Sequence, residues 1–166
     1  MIRIVVLGNG NSGAATANAV YRNVADCDSY TVEYYYEYGP HHDVTIDEAV
    51  KHSYLNDINK LCINASDIVI SCGWAHRVQD DIVKFGNCYN IHPALLPNYR
   101  GNSPIERQIK NFESLSGITL HKMDKGYDTG PVFARVVYRI DNMTEDDIVQ
   151  LGIKAINILI EVFITK

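Results

Sequence analysis

The sequence predicts an α/β domain, a Rossmann-like open, mostly parallel sheet with helices on both faces. Three observations carry that expectation. The chain opens with a short β-branched run, Arg3 to Leu7, that ends in glycines and leads into the alanine-rich, helix-forming stretch Ala14 to Val24. Strand, glycine loop and helix in that order is how a parallel α/β sheet begins. Further along, Asp67-Ile68-Val69-Ile70-Ser71-Cys72-Gly73 is almost continuously apolar, as suits a central parallel strand covered on both faces. The length, 166 residues, matches one domain with enough chain to bury a substantial core.

The other elements follow in order. Tyr30 to Tyr38 alternates and is aromatic, a second strand stopped by Gly39-Pro40. From Thr45 to Lys60, a Thr/Asp start and apolar residues at helical spacing (Ile46, Ala49, Val50, Tyr54, Leu55, Ile58) predict a helix. A short helix is expected at Asp80 to Phe85 and a strand at Cys88 to Ile91. Proline in the first turn marks a helix at Pro104 to Asn111. Gly117 to Lys122 and Val132 to Ile140 read as an antiparallel strand pair flanking a glycine-bounded loop. Thr144 with Asp147 resembles a capping box, Asp being a weaker partner there than Glu. It opens a long helix with Ile148, Leu151, Ala155, Ile158, Leu159 and Val162 on its apolar stripe. No repeat, low-complexity tract or linker divides the chain, so residues 1–166 are expected to be a single domain.

Composition narrows the class. Apolar residues at 46% and charged residues at 21% are ordinary for a soluble globular protein. A net charge of -5 with scattered Lys and Arg argues against nucleic-acid binding, which needs clustered cations. No window approaches the ~20 apolar residues that span a bilayer, and Met1 to Leu7 is too short for a signal peptide. Cys27, Cys62, Cys72 and Cys88 form no C-x-x-C pair, so reduced thiols in a cytoplasmic protein are expected. His41-His42 has no carboxylate or Cys at ligand spacing, and no metal site is expected there.

Two segments carry chemistry. Gly8-Asn9-Gly10-Asn11-Ser12-Gly13 matches G-x-G-x-x-G between a strand and a helix, where backbone N–H groups can cradle a phosphate. Three readings stay open: an anionic substrate group on Gly10, Asn11, Ser12 and Gly13; a steric turn; or a dinucleotide, with Glu33 or Glu37 as its acidic partner. Asn90-Ile91-His92-Pro93-Ala94-Leu95-Leu96-Pro97 sets an amide and an imidazole at a strand end, where ligands bind in open parallel sheets. Two residues apart, Asn90 and His92 point to the same side. An imidazole there titrates near neutral pH. Asp128, in Gly126-Tyr127-Asp128-Thr129-Gly130, has no helix to cap. It either bonds its own turn or stands beside His92, raising the imidazole pKa and fixing its orientation.

These segments, with Tyr99-Arg100-Gly101, Ser103-Pro104-Ile105, Gly117-Ile118-Thr119-Leu120-His121 and Met123-Asp124-Lys125 before Gly126, resemble the folate-dependent formyltransferase family. That family includes glycinamide ribonucleotide, methionyl-tRNA and nucleotide-sugar formyltransferases. The resemblance is dense over 88–133 and collinear over 1–165. It implies the formyltransferase fold and transfer of a formyl group from 10-formyltetrahydrofolate to a primary amine, with no metal. The family's catalytic residues fall on Asn90, His92 and Asp128. Asn90 and protonated His92 would stabilise the oxyanion, while Asp128 supports His92 and helps remove the amine proton. The folate pocket falls on Trp74, Ala75, His76, Arg77 and Val78, and on Met123, Asp124, Lys125, Gly126 and Tyr127. Trp74 reads equally as core.

His121 matches a position that varies between subfamilies and would stand behind the reacting groups. Arg100 either meets a substrate phosphate or stays in solvent. The chain ends at Lys166, so a tRNA-binding C-terminal module is not expected. The favoured acceptor is therefore a small, phosphate-bearing amine, a nucleotide-linked amino sugar first and glycinamide ribonucleotide second. Methionyl-tRNA, folate hydrolysis and a nicotinamide-binding protein rank below. A partner subunit or homo-oligomer contact is one way to complete a shortened acceptor site.

Overall fold

In the computed structural model, which describes residues 1–37, 44–55, 57 and 60–165, the first strand sorts the core into two halves. β1 (Ile2–Gly8) is buried from Ile4 to Leu7, with Ile4 and Val6 in one apolar cluster and Val5 and Leu7 in another. Strand side chains alternate between faces, so a run without polar residues is what a strand covered on both sides requires. After it come α1 (Gly10–Val24), β2 (Tyr30–Tyr36), β3 (Lys51–Tyr54), β4 (Ile68–Cys72) and α2 (Asp80–Val83). The chain continues through β5 (Cys88–His92), α3 (Pro104–Lys110), β6 (Leu115–Lys122), β7 (Val132–Arg139) and α4 (Glu145–Ile164).

Among the described residues seven strands form one sheet, in the order β3-β2-β1-β4-β5-β6-β7. Pairing is parallel from β3 to β5 and antiparallel at β5–β6 and β6–β7. The open, mostly parallel sheet is therefore present, with an antiparallel pair at one edge.

The two faces are covered unequally. α1 and α4 share one face and pack over Ile4, Val6, Ile70, Ile91, Ile118 and Leu120. Alanines 14, 15, 17 and 19 of α1 are buried and leave little side chain between helix and sheet. On the other face Val5, Leu7, Val69 and Cys88 are covered by the four-residue α2 and by coil, through Val78, Ile82, Leu61, Ile63, Trp74 and Met123. α4 opens on a reciprocal capping box between Thr144 and Asp147. Its buried stripe is Ile148, Gly152, Ala155, Ile156, Leu159 and Ile160, while Ile158, expected on that stripe, is exposed. Among the described residues no helix is long and apolar enough to cross a membrane.

Among the described residues of the Thr45 to Lys60 stretch the expected helix does not form. In its place Lys51 to Tyr54 pair in parallel with Glu33 to Tyr36 as an exposed edge strand. The start signal serves another purpose: Asp47 accepts from the N–H of Ala49 at 3.0 Å, closing a turn. Asn18 of α1 clasps the same segment through Thr45 O and Asp47 N. Short polar side chains that satisfy nearby backbone in this way compete with helix. Tyr38, Gly39, Pro40, His41, His42 and Ile58 lie outside the described residues.

Candidate active site

Asn90 and His92 share the parity of Cys88 on β5 and so face the thinly covered side of the sheet. The antiparallel register sets Asn90 against His121 and His92 against Thr119 of β6. Past Lys122 the chain loops out and returns beside its own strand. Gly130 has to be glycine there, because a Cβ would stand 1.8 Å from Lys122 O. Asp128, just before it, holds a left-handed φ of 53° that Asp tolerates better than most residues.

These three elements converge. Asp128 Oδ1 accepts from Asn90 Nδ2 at 3.1 Å and lies 3.4 Å from His121 Nε2. Its Oδ2 accepts from Gly101 N at 2.8 Å and lies 3.4 Å from His92 Nδ1. Arg100 Nε donates to Asp128 O at 2.9 Å, fastening the loop through its backbone. Asn90 Nδ2 is also 3.2 Å from His121 Nε2, whose Nδ1 is 3.0 Å from Lys122 O. On its far side His92 Nε2 is 2.9 Å from Tyr99 O, and Arg107 Nη2 donates to that same oxygen at 2.7 Å. His92 and His121 are buried, and Asn90 and Asp128 half-buried.

Burial decides the charge states. It pushes the His92 pKa below the ordinary value, outweighing the Asp128 charge and the Tyr99 carbonyl, which favour the cation. The expected upward pull of Asp128 on the His92 pKa is present, but desolvation of a buried imidazolium pulls harder, so the net shift is downward. For Asp128, burial alone would raise the pKa. The His121 hydrogen bond, the Gly101 N–H and the nearby imidazoles overcome it and bring the group down to about 2. At neutral pH the pair is a neutral imidazole beside a carboxylate.

Asn90, His92 and Asp128 line a cavity of about 690 Å³, a volume in the range of small-molecule sites. Trp74, Ala75, His76, Arg77, Val78, Met123, Asp124, Gly126, Tyr127 and His121 also line it. Lys125 does not; its carbonyl instead accepts from Arg77 Nη2 at 2.7 Å, and Arg77 stacks over the Tyr127 ring. The Trp74 Nε1 is buried without a hydrogen-bond partner, although its ring belongs to the second apolar cluster.

Gly10, Asn11, Ser12, Gly13 and Arg100 are not part of the cavity wall. Most of the expected loop is already helix, since α1 starts at Gly10. Gly8 and Gly13 are required sterically: a Cβ on Gly8 would meet Cys72 O at 2.5 Å, and one on Gly13 would meet Gly8 C at 2.7 Å. The acids offered for a dinucleotide are engaged elsewhere, Glu33 with Arg3 and Glu37 with His76.

The sequence reading missed Ser71, Asn102 and Ser103 of the wall, and the Tyr99 carbonyl with its Arg107 fork. Ser71 carried a signal, a hydroxyl in the middle of an apolar strand. A backbone carbonyl carries none.

Comparison with known proteins shows the family and the fold. The sequence profile of the formyl transferase family matches residues 41–158. A methionyl-tRNA formyltransferase from Dictyoglomus thermophilum is 38% identical over 95 residues, covering 55% of this chain and 30% of the relative. The aligned stretch is thus under a third of that enzyme's length. The solved phosphoribosylglycinamide formyltransferase from Bacillus halodurans superposes with a TM-score of 0.72 at 19% identity, over 98% of this chain and 94% of that one. The N-formyltransferase from Helicobacter canadensis, solved with folinic acid and dTDP-3-aminofucose, gives 0.74 at 22% identity, over 99% and 63%. At such identities the likeness is one of fold.

Proposed function

Since the chain belongs to the formyl transferase family, we propose that it moves a formyl group from 10-formyltetrahydrofolate to the primary amine of a small acceptor. The observation that carries this reading is the meeting of Asn90, His92 and Asp128 in one cavity. The cavity suits a folate: Trp74, Val78, Val83 and Met123 give it apolar walls, and Trp74 Nε1 is a buried donor awaiting an acceptor. Trp74, Ala75, His76, Arg77, Val78, Met123, Asp124, Gly126 and Tyr127 would hold the folate, which supplies the formyl carbon.

The chain's own groups divide the remaining work. Neutral His92 is a base available to the amine proton, and Asp128, ionised down to about pH 2, stabilises the imidazolium that results. That imidazolium can return the proton to the folate nitrogen as its bond to the formyl carbon breaks. Asp128 is itself too weak a base to keep that proton. Asn90 offers amide N–H groups to the formyl oxygen, in competition with Asp128, which accepts one of them at rest. His92 thus begins neutral and becomes charged, rather than starting protonated.

For the acceptor we favour a nucleotide-linked amino sugar. The segment Tyr99-Arg100-Gly101-Asn102-Ser103-Pro104 resembles the sugar enzymes, and the Helicobacter canadensis neighbour was solved with such a compound. Glycinamide ribonucleotide is second, favoured by the 94% coverage of the Bacillus halodurans enzyme. The free cysteines support a reducing, cytoplasmic setting.

The test is a panel of amines and nucleotide-linked amino sugars with 10-formyltetrahydrofolate, read by mass gain of one formyl group. Formate release without amine would point to a hydrolase. His92→Ala is expected to lower turnover by ~10²–10⁴ and Asn90→Ala by ~10²–10³, both folded. Wild-type rates from His92→Ala would sink the assignment.

A further inference from the structure

We infer that Arg107 is a positioning residue: through the Tyr99 carbonyl it keeps His92 in the Nε2–H tautomer and leaves Nδ1 as the open base. Only the catalytic consequence rests on the formyl-transfer reading.

A carbonyl oxygen has no proton, so the 2.9 Å contact between Tyr99 O and His92 Nε2 is a hydrogen bond only when Nε2 carries hydrogen. The rival site for that proton is Nδ1, which faces Asp128 Oδ2 at 3.4 Å, too long for a strong bond. The same Oδ2 is already taken by Gly101 N at 2.8 Å. What decides between the two nitrogens is therefore how firmly Tyr99 O is held.

Arg107 holds it. Its Nη2 reaches Tyr99 O at 2.7 Å and Arg100 O at 2.5 Å, clasping two successive carbonyls from α3. Its guanidinium carbon lies 5.6 Å from the Tyr99 ring centroid. Tyr99 needs the support, because its φ of 58° is a left-handed conformation that a bulky residue rarely adopts. Arg107 Nε is buried and makes no hydrogen bond, so the stem side of the guanidinium is packed away from water.

The groups around His92 are then complete: Asp128 from its loop, Asn90 on the same strand, His121 from β6 behind Asp128, and Arg107 from α3. Asp128 draws a proton toward Nδ1, and the carbonyl clasped by Arg107 draws it to Nε2. Without that clasp the proton moves to Nδ1, and the side facing Asp128 no longer offers a lone pair.

The test is long-range ¹H–¹⁵N correlation of the His92 ring in the full chain, with no ligand added. Wild type is expected to show the neutral Nε2–H form at pH 7. Arg107→Gln is expected to shift the population toward Nδ1–H and raise the His92 titration midpoint, since a cation has gone. Arg107→Lys keeps the charge but, with a shorter side chain, does not reach both carbonyls that Nη2 clasps, so the tautomer should shift with little change in midpoint. In formyl-transfer assays the acid limb of kcat/KM should move with the midpoint in Arg107→Gln. An Nδ1–H wild type overturns the proposal, and so does an Arg107→Gln protein whose tautomer stays at Nε2–H. If Arg107→Gln does not fold, Arg107→Lys carries the same test, and a tautomer that stays at Nε2–H there overturns the proposal. Because these spectra need no substrate, failure of the tautomer shift and failure of formyl transfer are separate results.

Discussion

Asp128→Asn keeps the size of the side chain and an oxygen for the Gly101 N–H, yet deletes the charge that faces His92 Nδ1 across 3.4 Å. Burial depresses the His92 pKa and Asp128 opposes it, so removing the carboxylate must lower that pKa further. Coulomb's law bounds the size. At 3.4 Å an ion pair is worth roughly 1 kcal/mol in a water-like dielectric and about 5 kcal/mol at an effective dielectric of 20. The His92 midpoint should therefore fall by at least about one pH unit in the variant, since one unit is about 1.4 kcal/mol. The assay is NMR titration of the His92 ring in both proteins, with His121 resolved as a neighbouring signal. Turnover should drop at the same time, because the imidazolium formed when His92 takes a proton has lost its counter-charge. A His92 midpoint that stays put or rises would refute the reasoning, and with it the division of work between the two side chains.

Other outcomes follow from the same structure. Asp128 titrates near 2 in the folded chain against 3.8 in its ordinary state, so its contribution of about 2 kcal/mol is full above pH 4 and lost as pH falls toward 2. His92, with a depressed folded pKa, removes stability as pH falls below its ordinary value, because the unfolded chain takes up the proton first. Urea midpoints should thus decline from pH 7 downward, and a flat profile would contradict both shifts. Thr144→Ala breaks the capping box of α4 and should cost about 1 kcal/mol in urea unfolding. Gly130→Ala drives a methyl group into Lys122 O, so the Asp128 loop must move; activity should fall more than thermal stability does. Equal losses in both would mean that the loop is structural only.

How much of this was legible in the chain depended on burial. β1 and β4 could be read because strands covered on both faces leave few polar residues in their runs. β3 could not: all four of its residues are exposed, so no apolar pattern marks it, and the Thr45–Asp47 signal that imitates a helix start closes a turn. The stripe of α4 was read with Ile158 on it, because sequence spacing alone does not choose between neighbouring apolar residues such as Ile156 and Ile158. In the site, Asn90 and His92 were readable from period-two alternation at a strand end. The resting charge of His92 was not, because desolvation is a property of the folded surroundings. Tyr99 O and Arg107 escaped for a different reason, since one is backbone and the other sits in a helix that looks like surface.

The thin cover over the second face of the sheet has a consequence of its own. Trp74, Val78, Val83 and Met123 are at once cavity wall and core, so the protein keeps a keystone-shaped gap where a sister layer of helix would otherwise sit. Under the proposed function, a bound folate would complete that layer. Occupancy and folding are then linked by mass action, with stabilisation of about 3 kcal/mol at a ligand concentration a hundredfold above Kd. The proposed ligand would then be a structural member as well as a reactant.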